Sequence, residues 1–251
     1  MDPVIGISCF CNLGKKGTNE TPYYRVSRNY IEPIIKYGGI PFIIPSFISK
    51  SLSEKILNII DGLVMTGGCG SSDKDDRIEV KGKPRTLRGQ NERRYIADKY
   101  LIEGALKRDM PLIGMCRGMQ MICETAGGKL NYKFLDEMNT GGVSHRQKEK
   151  GSIPTHTISL KEGSQLQKIL GVSEVKVNSF HNQFCAEPGK NFKASAWANN
   201  KIVEAIESPV YRFALGLQFH PEKMFNEYPI FIKIFEAFLE KSREYQNSKK
   251  S

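Results

Sequence analysis

The chain has 251 residues and carries 37 Lys and Arg against 27 Asp and Glu, a formal charge of +10. With 39% apolar and 25% charged residues it has the balance of a globular α/β chain able to bury one substantial core, which excludes disordered and fibrous classes. No apolar run approaches the roughly 20 residues that a bilayer span needs, no charged leader precedes Val4, and six dispersed cysteines form no disulfide framework, so a cytoplasmic protein without membrane contact is expected.

In chain order, Val4 to Cys9 is an apolar strand, Tyr24 to Tyr37 a helix containing Pro33, and Pro41 to Pro45 a second strand. Ser51-Leu52-Ser53-Glu54 fits a capping box that starts a helix to Ile60. Gly62-Leu63-Val64-Met65 is the next strand, and it ends in Thr66-Gly67-Gly68. A helix over Asn91 to Lys107 places Ile96, Tyr100, Leu101 and Ala105 on one face and leads into the strand Pro111 to Met115, which the helix Arg117 to Ala126 follows. Strand patterns then recur at Thr155 to Leu160, Glu174 to Val177, Phe192 to Ala198, Ile202 to Glu207 and Phe213 to Phe219. A helix from Tyr228 to Lys241 buries Phe231, Ile234, Phe235 and Phe238, and residues 242–251 form a basic, frayed tail. The βα alternation predicts a doubly wound, mostly parallel sheet with helices on both faces and additional antiparallel strands in the second half. No linker or repeat interrupts the chain, so residues 1–251 are expected to form one domain.

Chemistry concentrates at two places. Gly114-Met115-Cys116-Arg117-Gly118 sets a cysteine on the sharp turn between a buried strand and a helix, with glycines that leave room for the backbones packed against it. A thiol there is exposed at the carboxyl end of a strand, in front of a helix N-terminus. His220-Pro221-Glu222 closes the apolar run Phe213 to Phe219 and brings a base and a carboxylate to the same sheet edge. Nucleophile, base and orienting acid, in that order, make a Cys116-His220-Glu222 triad.

Phe219-His220-Pro221-Glu222, Cys116-Arg117-Gly118-Met119-Gln120 and Met65-Thr66-Gly67-Gly68 together resemble the class I glutamine amidotransferase-like superfamily. Val177-Asn178-Ser179-Phe180-His181-Asn182-Gln183 is similar to its gamma-glutamyl-gamma-aminobutyrate hydrolase branch, and the resemblance runs from Ile5 to Glu222. It implies a flavodoxin-like fold and a cysteine-dependent hydrolase that cleaves gamma-glutamyl amide bonds through a thioester, with no cofactor. It also implies that the Gly68 and Arg117 amides form the oxyanion hole, and that Gly67, Gln120, Asn178, Ser179 and Phe180 line the site of a small gamma-glutamyl substrate. The leaving amine is undetermined, because Cys69-Gly70-Ser71-Ser72 replaces the Asp-containing stretch that often follows the glycine pair.

Other features are weighed against this reading. His181 lies in the substrate-side motif and is expected to play a supporting role. His145 and His156 fall where relatives tend to carry histidine, but no spacing among the four histidines and six cysteines resembles a metal motif, so no metal site is expected. Cys9 and Cys11 are expected to pack, Cys69 either lines the pocket or is oxidised with Cys116, and Cys123 and Cys185 have no evident chemistry. The loops Cys69 to Gln90 and Asn139 to Pro154 are long enough to shape a pocket. The basic residues are dispersed without aromatic interleaving, which argues against nucleic acid. Two rival readings are a glutaminase subunit that passes ammonia to a separate synthase and a non-catalytic gamma-glutamyl-binding protein; a homodimer is left open.

Overall fold

A computed structural model of the chain describes residues 1–12, 19, 21–47, 49–68, 86–132 and 143–249. β1 (Val4–Ser8) is followed by the short strands β2 (Phe10–Asn12) and β3 (Tyr23–Arg25), which pair only with each other. Then come α1 (Arg28–Lys36), β4 (Ile40–Ile44), α2 (Lys50–Ile59) and β5 (Gly62–Met65). The short α3 (Leu87–Gln90) precedes α4 (Glu92–Lys107), β6 (Leu112–Met115), α5 (Arg117–Thr125) and β7 (Lys129–Asn131). The second half runs β8 (His156–Leu160), α6 (Gln165–Leu170), β9 (Glu174–Val177), β10 (Phe184–Glu187), β11 (Lys193–Ala198), β12 (Val203–Glu207), β13 (Ala214–Leu217) and α7 (Ile232–Ser248).

The main sheet has the order β4-β1-β5-β6-β13-β12-β11-β8-β9, with β10 and β7 attached through β12. Its first five strands are parallel and the rest antiparallel, a flavodoxin-like α/β sheet with an antiparallel extension. Alternation decides the layers. Val64, Ile113, Leu215 and Leu217 face α1, α6 and α7, whereas Leu63, Leu112 and Ala214 face α2, α4 and α5. Burial of these two apolar faces is the main stabilising term, at roughly 25 cal/mol per Å² of apolar surface.

Several boundaries differ from the sequence reading, for local reasons. Ser27 caps α1 by accepting from the Asn29 amide, so the helix starts at Arg28, and Tyr24 is in β3. Ser49, and not Ser51, caps α2 by accepting from the Leu52 amide at 3.2 Å. Asn91 caps α4, whose span agrees with the expected helix, but its buried face is Arg94, Ala97, Asp98, Leu101, Ile102, Gly104 and Ala105, and Ile96 and Tyr100 are only half-buried. The tail is also a correction. Helix α7 continues to Ser248, with Ser242, Tyr245 and Gln246 buried, Gln246 Nε2 donating to Asp61 Oδ2 at 2.8 Å and Lys249 paired with Asp61 at 2.6 Å. Cys69 and most of the loop to Gln90, like residues 139–142 of the second loop, lie outside the described residues. No described helix is long and apolar enough to cross a membrane.

Candidate active site

The carboxyl ends of β5, β6 and β13 bring three sequence segments together. Cys116 follows β6 with φ 50° and ψ −107°, a conformation that L residues rarely adopt and that costs about 1–3 kcal/mol. The two flanking glycines make the turn feasible. A Cβ on Gly118 would sit 2.1 Å from the Met65 carbonyl oxygen, and one on Gly114 would sit 2.6 Å from the Gly118 backbone. Gly216 of β13 likewise admits Met119, so the first turn of α5 presses onto the sheet. Cys116 is only 8% exposed, so the thiol expected to be exposed is largely buried.

His220 follows β13, and its Nδ1 lies 2.6 Å from Glu222 Oε1; both side chains are buried. Burial alone would lower the imidazole pKa, but the Glu222 charge, joined by the charge and hydrogen bond of Cys116, outweighs it and raises the value to about 9. The structure therefore brings Cys116, His220 and Glu222 together from separate strand ends. Gly67 completes the cluster: a Cβ there would lie 2.9 Å from His220 Cε1, 2.9 Å from the Tyr30 hydroxyl and 3.6 Å from Cys116 Cβ. Gly68 is the next residue and is exposed. Arg117 begins α5 and is buried.

The residues expected along the substrate have more specific surroundings. Asn178 is fully buried; its Nδ2 donates to the His220 carbonyl at 3.0 Å and to the Gly151 carbonyl at 2.6 Å, and its Oδ1 accepts from the His220 amide at 2.8 Å. Its side chain thus clamps the backbone of His220. The Ser179 backbone is engaged with Gln147, donating to Oε1 at 2.6 Å and accepting from the Gln147 amide at 3.1 Å. Gln120 Nε2 donates to the Gln183 carbonyl at 2.8 Å and to Gln218 Oε1 at 3.2 Å. These contacts hold all three residues in place. Phe180 is half-buried, meets the His220 ring edge-on at 5.8 Å, and carries Lys223 Nζ 4.2 Å above its own ring.

Sequence reasoning missed the support behind the glycine turn. The Tyr30 hydroxyl accepts from the Gly67 amide at 2.9 Å; burial and then the Glu222 charge push its pKa well up, so it stays a neutral phenol. Arg94, 1% exposed, donates from Nη2 to the Thr66 carbonyl, Thr66 Oγ1 and the Gly67 carbonyl, each at 2.9 Å. Its Nε is 3.4 Å from Asp98, which also pairs with Arg117 Nη1. The signal was available: two opposite charges four residues apart, on the helix face that Leu101 and Ala105 mark as buried.

A second cluster collects the remaining three histidines. His145, His156 and His181 surround the fully buried Glu204, with ring nitrogens 3.3, 3.5 and 3.4 Å from Oε1. Burial opposes the Glu204 charge, yet the three imidazoles hold the carboxyl well below its ordinary pKa. His181 is shifted down, chiefly by burial.

Comparison with known proteins agrees with this architecture. The Peptidase C26 family model matches residues 3–222. A protein of Rickettsia prowazekii (strain Madrid E), named as glutamine amidotransferase-like, is 29% identical over 280 residues, covering 96% of this chain and 98% of the relative. The gamma-glutamyl-gamma-aminobutyrate hydrolase of Escherichia coli O157:H7 is 29% identical over 245 residues, covering 95% of this chain and 92% of the relative. Among solved structures, a Thermoplasma acidophilum protein named as part of a GMP synthase superposes with a TM-score of 0.64 at 17% identity, over 100% of this chain and 99% of the other, a likeness of fold. This chain belongs to the Peptidase C26 family and is a glutamine amidotransferase-like hydrolase.

Proposed function

We propose that the protein hydrolyses the amide bond of a gamma-glutamyl amine through a thioester on Cys116. One observation carries the reading: a cysteine held at φ 50° on a strand-to-helix turn beside a buried His220-Glu222 pair. The Cys116 thiolate attacks the gamma-carbonyl, and the Gly68 and Arg117 amides receive the developing oxyanion, where one such donor is typically worth about 3 kcal/mol. The His220 imidazolium protonates the departing amine. The neutral imidazole then takes a proton from water, the hydroxide opens the thioester, and glutamate leaves with the thiol restored. Glu222 fixes the ring tautomer and stabilises the imidazolium. Phe180 and Lys223, beside His220, offer an apolar face and a cation to the substrate.

The test is glutamate release from gamma-glutamyl-gamma-aminobutyrate and from glutamine side by side. Cys116→Ala is expected to abolish release while circular dichroism stays native; full activity of that variant would remove Cys116 from the mechanism. Release mainly from glutamine would support the rival reading, a glutaminase that serves a separate synthase.

A further inference from the structure

We propose that His145, His156, His181 and Glu204 form a structural binding site for one divalent transition metal ion, with zinc the best match. The site stands apart from the Cys116 chemistry and does not depend on the substrate reading.

The first argument is unmet polar chemistry. Among the described residues, neither carboxylate oxygen of Glu204 and neither ring nitrogen of His156 has a hydrogen-bond partner, although both side chains are buried. Buried polar groups are costly when left unsatisfied. His145 Nδ1 and His181 Nε2 are hydrogen-bonded to each other at 3.1 Å, and Ser179 Oγ lies 3.4 Å from His145 Nδ1, so the unmet groups are the Glu204 carboxylate and the His156 ring, with all three imidazoles at ion-pair distance from Glu204 Oε1.

The second argument is distance. One ligand atom each from His145, His156 and Glu204 lie within 4.8 Å of one another. His181 Nε2 is 3.1 Å from His145 Nδ1 and 3.4 Å from Glu204 Oε1. Zinc bonds to nitrogen and oxygen of about 2.0–2.1 Å place neighbouring corners of a tetrahedron about 3.3–3.4 Å apart. The closest approaches here, 3.1 to 3.5 Å, bracket that edge.

Two rings are also held from behind. His181 Nδ1 lies 3.0 Å from the Gln183 carbonyl, which can only accept, so Nδ1 carries the proton and Nε2 presents its lone pair to the cluster. His145 Nε2 accepts from Asn200 Nδ2 at 2.9 Å, so its Nδ1, which faces the cluster 3.1 Å from His181 Nε2, carries a proton that metal binding would displace. Three imidazoles and a carboxylate suit zinc better than a hard, oxygen-preferring cation, and four protein ligands leave no position for substrate. The ion would tie β8, β12 and the segments on either side of Asn178 into one unit, and Asn178 clamps His220.

The experiment strips the purified full-length protein with a chelator, offers Zn2+ or Co2+, removes the excess and measures bound metal by mass spectrometry. About one ion per chain is expected for the wild type and for Cys116→Ala, and fewer than about 0.1 for Glu204→Gln and for His156→Ala. Stripping should lower the wild-type melting temperature by about 5–10 °C, restored by Zn2+. Should the variants fail to fold, the wild-type Co2+ spectrum decides: tetrahedral ligand-field bands without a thiolate charge-transfer band support the site. Absence of binding by the wild type, or binding that is lost in Cys116→Ala and retained in Glu204→Gln, would overturn it.

Discussion

At the scale of single residues, the buried His220-Glu222 pair ties the stability of this protein to pH. The His220 pKa of about 9 lies above the ordinary value of 6.5, so the folded protein binds that proton more tightly than the unfolded chain does. The linked stability is fully present below about 6.5, declines as pH rises, and is lost through about 9. Activity should follow the same group: kcat/KM is expected to fall above about pH 9, where the imidazolium that protonates the leaving amine disappears. Glu222→Gln removes the raising charge and should shift this alkaline limb to lower pH while reducing kcat by on the order of 10²- to 10⁴-fold. An unchanged pH-rate profile would demote Glu222 to packing. The residues of the proposed triad were legible in the sequence because each sits in a compact motif at a strand end. The surroundings of Asn178 and Gln120 were not, because their partners, His220 and Gln183, come from distant segments.

At the scale of elements, α4 is more than a cover for the sheet. Its buried charges Arg94 and Asp98 link the Thr66-Gly67 turn to the start of α5, the two places that present the proposed oxyanion donors. Removing one partner of a buried ion pair strands the other and typically costs about 3–5 kcal/mol. Arg94→Ala is therefore expected to lose stability of that order in denaturant unfolding, and to lower kcat more than it raises KM, since the turn and not the substrate is disturbed. Wild-type kcat in a folded Arg94→Ala protein would sever α4 from the site. Apolar periodicity placed the helix correctly and its buried face in part, with Leu101 and Ala105 buried as expected. Ile96 and Tyr100 satisfy the pattern, yet the buried face holds Arg94 and Asp98 in their place, because the glycine turn needs hydrogen-bond donors that no apolar side chain supplies.

For the whole molecule, α7 closes the sheet against the first strands. Truncation after Lys241 would delete buried Tyr245, worth roughly 2 kcal/mol by area, and would remove Gln246 and Lys249 from the buried Asp61 carboxylate, at about 1–3 kcal/mol more. A clear fall in melting temperature is expected, whereas an unaffected midpoint would mean that the segment contributes nothing. The formal charge of +10 acts over the same scale. If the substrate is an anionic gamma-glutamyl compound, its kcat/KM should decline as ionic strength rises, and indifference to salt would count against a steering field.

The sequence by itself determined the βα alternation, the strained cysteine turn and the histidine-glutamate strand end, because each depends on neighbours a few residues apart: apolar period, glycine spacing and turn chemistry. It also carried the family, through motif order along most of the chain. Only the tertiary structure decided which charges are buried and which scattered histidines meet. His145, His156, His181 and Glu204 come from four separate segments, and strand pairing together with the isolated Arg146–Phe180 bridge makes them neighbours. Glu204 and His156 lie on β12 and β8, on either side of β11, so their encounter is set by sheet order, which no local spacing encodes.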